Sequence, residues 1–212
     1  MTIYLDGLER SGNVFLNNAI QRSINVETIS LRTHLVSTLK DYKEDYPFIV
    51  PVRNAFDAIA SAKVYRDYVH NNHMYGDNNP AQSQIWVIIE KHQEYIDYLI
   101  DSPKFFIAPF HCFIEDHNET VRKMVKFYDP YFKDKIIKNF TKEEILLTTT
   151  DPAQSHSFSQ EAFHPALGNF PRNKDKNRIK VEEIILKDYS KKIHELQKRQ
   201  EVLFQRYYDI EA

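Results

Sequence analysis

Two glycines near the N-terminus bracket the segment whose chemistry is easiest to name. Gly7-Leu8-Glu9-Arg10-Ser11-Gly12 follows a short apolar run and precedes a helical pattern. The chain has only 4 glycines among its 212 residues, so we expect each where the backbone leaves few alternatives. A glycine-bounded turn before a helix brings backbone N–H groups and a partial positive charge to one place. The segment is therefore a candidate cradle for phosphate or sulfate; the alternative is an ordinary strand-to-helix turn.

An arginine and a serine flank the start of a later helical pattern. The segment RNAFDAIAS runs from Arg53, at the end of an apolar run, to Ser61, about two helical turns further on. A guanidinium fork and a hydroxyl that converge at such a junction could bind a second phosphate. The alternative is that Arg53 forms an ion pair with Asp57 across the start of the helix.

A histidine beside an arginine follows another expected strand, in the segment RTHL from Arg32 to Leu35. Ligands of open α/β sheets bind at the carboxyl ends of the strands. That placement would bring Arg10, His34 and Arg53 to one edge of the sheet. An imidazole, with an ordinary pKa of ~6.5, can take a proton near neutral pH, so His34 is a candidate general base.

Alternating strands and helices must position these residues. Strands are predicted at Thr2–Asp6, Val26–Arg32, Pro47–Val52 and Lys104–Phe110, and helices from Ser11, from Asn54, at Pro80–Ile100, at Asn118–Tyr128 and at 181–209. The alternation predicts one α/β domain over residues 1–212, with a mostly parallel central sheet flanked by helices and a long C-terminal helix. The irregular stretch 148–178 is expected to be a lid over the site or a solvated loop.

The composition narrows the class of protein. A hydrophobic fraction of 42% supports a folded core, and a net charge of −2 argues against a nucleic-acid binder. No apolar run reaches the ~20 residues of a membrane span, and the N-terminus has no pattern typical of a secretory signal. Cys112 is the single cysteine, and His70 and His73 lack a third ligand, so no metal site is predicted. We expect a cytoplasmic protein without a membrane partner.

Together, these segments resemble the sulfotransferases that use 3′-phosphoadenosine 5′-phosphosulfate (PAPS). The family pattern G-x-x-[KR]-S-G-T-T-W is matched here by GLERSGNVF, K-T-H-L by RTHL, and R-N-x-x-D-x-x-x-S by RNAFDAIAS with the same spacing. A late Y-E-D-L element is echoed by FIED at Phe113 to Asp116. The resemblance covers roughly the first 130 residues, and the shared order and spacing of the motifs carry it.

The resemblance implies a P-loop-type three-layer fold, and a binding site for PAPS and for its product, 3′,5′-ADP. Arg10 takes the family position at the 5′-phosphosulfate, Phe15 replaces a tryptophan that stacks on adenine, and Arg53 and Ser61 bind the 3′-phosphate. The implied cofactor contacts are Gly7, Arg10, Ser11, Gly12, Asn13, Val14, Phe15, Arg53 and Ser61, with weaker counterparts at Phe158, Arg172 and Lys174.

The resemblance also implies the reaction, which is transfer of a sulfuryl group to a hydroxyl or amine of a small-molecule or carbohydrate acceptor. His34 is the implied base, and Arg10 and Arg32 stabilise charge on the transferring group without a metal ion. Asn13 and Val14 depart from the family by removing both threonine hydroxyls.

Two alternatives stay open beside the transferase. A P-loop nucleotide kinase is disfavoured because no Lys-Ser/Thr pair follows Gly12. A non-catalytic nucleotide-binding or assembly protein of the same fold is favoured by the missing hydroxyls. The sequence leaves open whether copies of the chain form a homo-oligomer.

Overall fold

A computed structural model describes residues 2–8, 12–31, 33–42, 46–71, 83–133, 135–149 and 176–211. Four strands and ten helices lie in these ranges: β1 (Thr2–Leu5), α1 (Asn13–Ile24), β2 (Glu27–Ser30), α2 (Val36–Lys40), β3 (Phe48–Val52), α3 (Ala55–Asn71), α4 (Ile85–Ile100), β4 (Phe106–Pro109), α5 (Phe110–Glu115), α6 (His117–Phe127), α7 (Asp129–Phe132), α8 (Lys142–Thr149), α9 (Lys176–Asp188) and α10 (Ser190–Tyr208). Among these helices, none is both long enough and apolar enough to cross a membrane.

The four strands form one parallel sheet in the order β2-β1-β3-β4. All four predicted strands are present, and the expected α/β fold with a parallel sheet is confirmed. After β1 the chain crosses to β2 on one side, and it then returns past β1 to β3 on the other side. The direction of the crossovers therefore reverses between β1 and β3, which is where open α/β sheets bind their ligands.

Each face of the sheet is covered by its own apolar cluster, because successive strand residues point to opposite faces. Ile3, Leu5 and Ile49 pack with α1, α5 and α6 on one face. Phe48 and Val50 pack with α3, α4 and α9 on the other. Helix α10 contributes to both clusters along the β4 side of the sheet.

Pro51 lies inside the buried strand β3, where a missing N–H would be expected to weaken the pairing. The Asp6 N–H donates to the Ile49 carbonyl at 3.2 Å. In a parallel ladder the next donor on that side of β3 stands two residues further on, and that residue is Pro51. Pairing between β1 and β3 ends there, and the chain is free to turn at Gly7.

The expected single C-terminal helix is two helices, a correction to the sequence prediction. Helix α9 ends at Asp188 and α10 begins at Ser190, with Tyr189 between them at φ −130° and ψ 7°. The apolar spacing runs through this point without a glycine or proline, so the sequence carries no strong break signal. The break lets α9 pack on α3 while α10 packs on α4 and β4.

Residues 148–149 and 176–178 of the expected lid are helical, and its middle lies outside the described residues.

One tyrosine hydroxyl joins the starts of β3 and β4. The Tyr128 hydroxyl accepts the N–H of Phe48 at 3.2 Å and that of Phe106 at 3.1 Å, and it donates to the Phe48 carbonyl at 2.7 Å. Burial raises the pKa of Tyr128 above its ordinary value. The hydroxyl therefore keeps its proton and serves both strands.

Replacing this hydroxyl tests how strongly it supports the sheet. Tyr128→Phe should lower the free energy of unfolding by about 1–3 kcal/mol, because two buried strand N–H groups lose their acceptor. Urea denaturation measures the loss. The exposed Tyr46, at the approach to β3, is the control, and Tyr46→Phe should stay within about 0.5 kcal/mol of the native protein. Equal losses in the two variants would contradict this role for Tyr128.

Candidate functional site

The site is built around the carbonyl group of Gly7, directly after β1. Nδ1 of His34 lies within hydrogen-bond distance of this carbonyl oxygen. A carbonyl can only accept, so Nδ1 carries a proton, and in the neutral ring Nε2 keeps its lone pair. The structure thus joins the glycine segment to the RTHL segment and leaves His34 in the tautomer that a general base requires.

A buried carboxylate, that of Asp6, accepts hydrogen bonds from the segment that contains His34. Asp6 is 0% exposed and accepts the Thr33 hydroxyl at 2.5 Å, the Gly7 N–H at 3.0 Å and the His34 N–H at 3.3 Å. Its Oδ1 lies 3.7 Å from Nδ1 of His34. Burial raises the pKa of Asp6, and the Thr33 hydroxyl, the His34 charge and the two N–H groups oppose that rise.

His34 itself has a left-handed backbone, with φ +56°. A non-glycine residue in this region costs on the order of 1–3 kcal/mol and persists only where its surroundings hold it. Here the holding contacts are the Asp6 carboxylate on the backbone N–H and the Gly7 carbonyl on the ring. Strain of this kind is typical of functional sites.

The ring of Phe110 joins the other two segments. The guanidinium carbon of Arg53 stands 4.8 Å from the centre of the Phe110 ring. A Cβ atom on Gly12, which has φ +83°, would lie 2.9 Å from the same ring. The start of α1 and the residue after β3 therefore meet at the Phe110 ring, and the cation–π contact orients Arg53.

The N-termini of α1 and α3 differ in how their N–H groups are satisfied. Gly12 caps α1 without a side-chain hydrogen bond, and no acidic residue stands in its first turn. At α3, the Asn54 side chain accepts from Phe56 at 3.0 Å, and the Gln200 side chain of α10 accepts from Ala55 at 2.8 Å. Both helices have a positive N-terminal end, but two first-turn N–H groups of α3 are occupied by side chains, whereas the α1 cap supplies no side-chain acceptor, so α1 is the better anion site of the two.

Two predicted cofactor residues are turned inward. Asn13 is buried, and its Nδ2 donates to the Gly7 carbonyl at 3.4 Å, which ties the helix start back to the end of β1. Phe15 is 3% exposed and stacks on Phe113 in the core. Neither face of Phe15 is open to a base, which departs from the adenine contact that the resemblance implied.

The remaining predicted residues divide into those near the site and those outside the described residues. Ser61 lies on α3, about 9 Å along the helix from its first residue. Asp57, the alternative partner of Arg53, instead binds Arg178 at 2.8 Å. The described backbone of Val14 belongs to α1. Arg10, Ser11, Arg32, Phe158, Arg172 and Lys174 lie outside the described residues.

Three supporting residues have no sequence motif of their own. Asp6 ends an apolar run, and a carboxylate directly after an expected strand is a sequence signal for a functional site. Phe110 resembles any aromatic core residue. Gln200 is buried on α10, and its amide spans the turn by donating to the Arg53 carbonyl at 2.8 Å as well as accepting from Ala55. Because Gln200 lies far along the chain from this turn, no local sequence pattern predicts the role.

No family model matches the chain, and no curated protein shows significant similarity to it. The case for a function therefore depends on the three motifs and on the contacts among their described residues.

The buried Asp6 carboxylate predicts a specific pH dependence of stability. A carboxyl whose pKa is raised in the folded state binds its proton more tightly there than in the unfolded chain, where its value is near 3.8. Native stability should therefore fall as pH rises above about 4 through the raised pKa. Asp6→Asn removes the charge but keeps the size, so its stability relative to the native protein should rise over the same range.

Urea denaturation at a series of pH values measures this difference. Asp101→Asn at the exposed end of α4 is the matched control, because that carboxylate is solvated in the folded and unfolded chain alike. A flat difference for Asp6→Asn, or one that falls with rising pH, would show that the buried carboxylate does not oppose folding.

Proposed function

We propose that the protein is a PAPS-dependent sulfotransferase with a P-loop-type fold. The observation that carries the proposal is that the three motifs meet: His34 on the Gly7 carbonyl, and Arg53 with Gly12 on Phe110. The strand order supports it, because the glycine segment follows an inner strand at the reversal point of the sheet.

The donor binds through two different kinds of contact. The open N-terminus of α1 takes the 5′-phosphosulfate with its backbone N–H groups, assisted by Arg10 and Ser11. The start of α3 is capped within the chain, so the 3′-phosphate is bound by the side chains of Arg53 and Ser61 rather than by the helix terminus. With Phe15 in the core, Phe110 is the aromatic ring beside Gly12 that a base can contact.

Transfer is an in-line displacement at sulfur. The acceptor oxygen or nitrogen forms a bond to sulfur as the sulfur–oxygen bond to the 5′-phosphate breaks, and 3′,5′-ADP leaves with that electron pair. Nε2 of His34 takes the acceptor proton, and the Asp6 carboxylate stabilises the imidazolium that forms. Arg10 and Arg32 stabilise charge on the leaving and bridging oxygens, an effect of about 3–4 kcal/mol for a well-placed donor.

A second candidate is a nucleotide-binding protein of the same fold that does not turn over. Asn13 favours it, because its amide is engaged by the Gly7 carbonyl rather than offered to a phosphate. The distinction is experimental: both candidates bind 3′,5′-ADP, and only one transfers sulfate.

Binding is tested first, by calorimetric titration with 3′,5′-ADP in EDTA and with ATP plus Mg²⁺. We expect 3′,5′-ADP to bind in EDTA and to bind more tightly than ATP with Mg²⁺. Arg53→Ala should weaken it by about 1.5–3 kcal/mol, the usual value of a charged hydrogen bond. Arg199→Ala, an exposed arginine on α10 paired with Asp97, is the control. Preference for ATP with Mg²⁺ would favour the kinase, and absence of 3′,5′-ADP binding would refute the proposal.

Transfer is tested with radiolabelled PAPS against a pool of small hydroxyl and amine compounds, with excess EDTA present. His34→Ala should keep its affinity for 3′,5′-ADP and lose about 10²–10⁴-fold in rate, because only the proton acceptor is removed. His111→Ala, an exposed histidine on α5 bound to Tyr208, should retain the native rate. A His34→Ala variant that transfers sulfate at the native rate would refute the role of His34, and binding without any transfer would favour the second candidate.

A further inference from the structure

Strand β2 (Glu27–Ser30) lies at one side of the sheet, and among the described residues no strand pairs with its outer edge. The other side of the sheet is covered, because α10 packs along β4 and the Arg206 side chain donates to the Phe105 carbonyl at 3.0 Å. Proteins usually protect an edge strand with lysine, proline or a covering helix. The 4 residues of β2 include neither lysine nor proline, and Ile29 within it is 36% exposed.

The register of β1 and β2 determines which backbone groups of β2 face outward. The Leu31 N–H donates to the Leu5 carbonyl at 2.9 Å, and Leu5 is aligned with Ser30. Parallel pairing uses alternate residues of a strand, so the backbone groups of Ile29 and Leu31 face β1. The N–H and carbonyl groups of Thr28 and Ser30 therefore face away from the sheet. Within the described part of the chain, no hydrogen bond reaches these outward groups.

Two outward residues on either side of an inward one make this edge complementary to itself. In an antiparallel pair, residues that face each other exchange both N–H···O=C bonds at one position and none at the next. A two-fold axis at Ile29 places Thr28 opposite Ser30 of the second copy, and Ser30 opposite the second copy's Thr28. Every outward N–H and carbonyl group of these two residues is then paired.

The side chains also match across this axis. Ile29 meets Ile29 of the second copy in a non-hydrogen-bonded pair, the closer of the two kinds, so its exposed side chain becomes buried. The Ser30 hydroxyl has no hydrogen-bond partner within the single chain, and the axis places a threonine hydroxyl opposite it. That Thr28 hydroxyl donates to the Asn17 side chain at 2.5 Å and retains its capacity to accept.

Charge repulsion does not oppose this register. Glu27 is the one charged residue of β2, and its carboxylate accepts the Thr2 hydroxyl of its own chain at 3.1 Å. Across the axis, Glu27 stands opposite Leu31, and the two copies of Glu27 are about 14 Å apart. This exceeds the ~10 Å over which charges interact at 0.1 M salt. A register centred on Thr28 instead places each Glu27 against Ile29.

We propose that β2 pairs antiparallel with β2 of a second copy of this chain, with a two-fold axis at Ile29. The two sheets then form one continuous sheet, in which β4 lies at both outer edges. The contact is small, so the dimer is reversible, with a Kd on the order of 10 µM to 1 mM. The pairing uses no residue of the donor site, so it stands or fails independently of the proposed function.

Amide hydrogen exchange tests the outer edge in the native protein. Sedimentation velocity up to about 2 mM protein first gives the fraction of dimer at each concentration. We expect the exchange rates of the Thr28 and Ser30 amides to fall in proportion to the remaining monomer, because only the monomer leaves them unpaired. The Leu31 amide, which donates to β1, should be equally protected at every concentration.

Three outcomes of this experiment would overturn the proposal. A protein that stays monomeric throughout has no such pairing. A dimer in which the Thr28 and Ser30 amides exchange as fast as in the monomer is formed through another surface. Protection of these two amides that is already complete in the monomer shows that a segment of the same chain occupies the edge.

A charge placed on the axis tests the same surface by substitution. Ile29→Lys sets two ammonium groups opposite each other and should weaken the dimer at least tenfold, because like charges directly across a strand pair repel. Ile184→Lys is the matched control, since Ile184 is a 43% exposed isoleucine on α9, and it should dimerise as the native protein does. Equal weakening by the two substitutions would contradict an interface at β2.

Disulfide formation tests the position of the axis. In a Cys112→Ser background, Ile29→Cys should give a linked dimer with oxidised glutathione, because the Cβ atoms of such a pair are about 4.5–5.5 Å apart. Glu27→Cys lies on the same face of the strand, but its two copies are too far apart to be bridged. If Glu27→Cys links as fast as Ile29→Cys, or if neither variant links while the dimer is present, the axis at Ile29 is refuted.

Discussion

The close approach of Gly7 to β3 is the constraint on which the arrangement of the site depends. A Cβ atom at Gly7 would lie 2.6 Å from the carbonyl oxygen of Pro51, a distance that backbone atoms do not tolerate. The Gly7 carbonyl accepts from the His34 ring and from the Asn13 amide. A side chain at Gly7 would push β1 away from β3, and the histidine and the start of α1 would move with it.

The Asp6 carboxylate shows that the site is held at a cost to stability. Its raised pKa means that the ionised group is less favourable in the folded protein than in water, even with three hydrogen-bond donors around it. The left-handed backbone of His34 adds to that cost. A chain selected for stability alone has no need of either feature. The proton acceptor that we propose for His34 must be oriented and must become positively charged, and both features serve that role.

The sequence predicted the elements that alternating patterns define, and it failed where tertiary contacts decide. The four strands and the order of the main helices follow from apolar runs and spacing. The break at Tyr189 does not, because two different packing partners impose it on a continuous pattern. Phe15 fits a motif but lies in the core, and Gln200 reaches a turn almost 150 residues away that no local pattern reveals.

The contrast between the two helix N-termini explains why the motifs differ in composition. At α1 the cap is a glycine with no side-chain acceptor, so the helix terminus itself remains able to bind an anion. At α3 the amides of Asn54 and Gln200 satisfy the first N–H groups, and the neighbouring positive charge is a side chain, Arg53, held over Phe110. The 3′-phosphate that we propose at α3 is therefore matched by a guanidinium rather than by a helix terminus. Because Gln200 of α10 donates to the Arg53 carbonyl and accepts from the Ala55 N–H, the C-terminal helix helps to determine the position of Arg53.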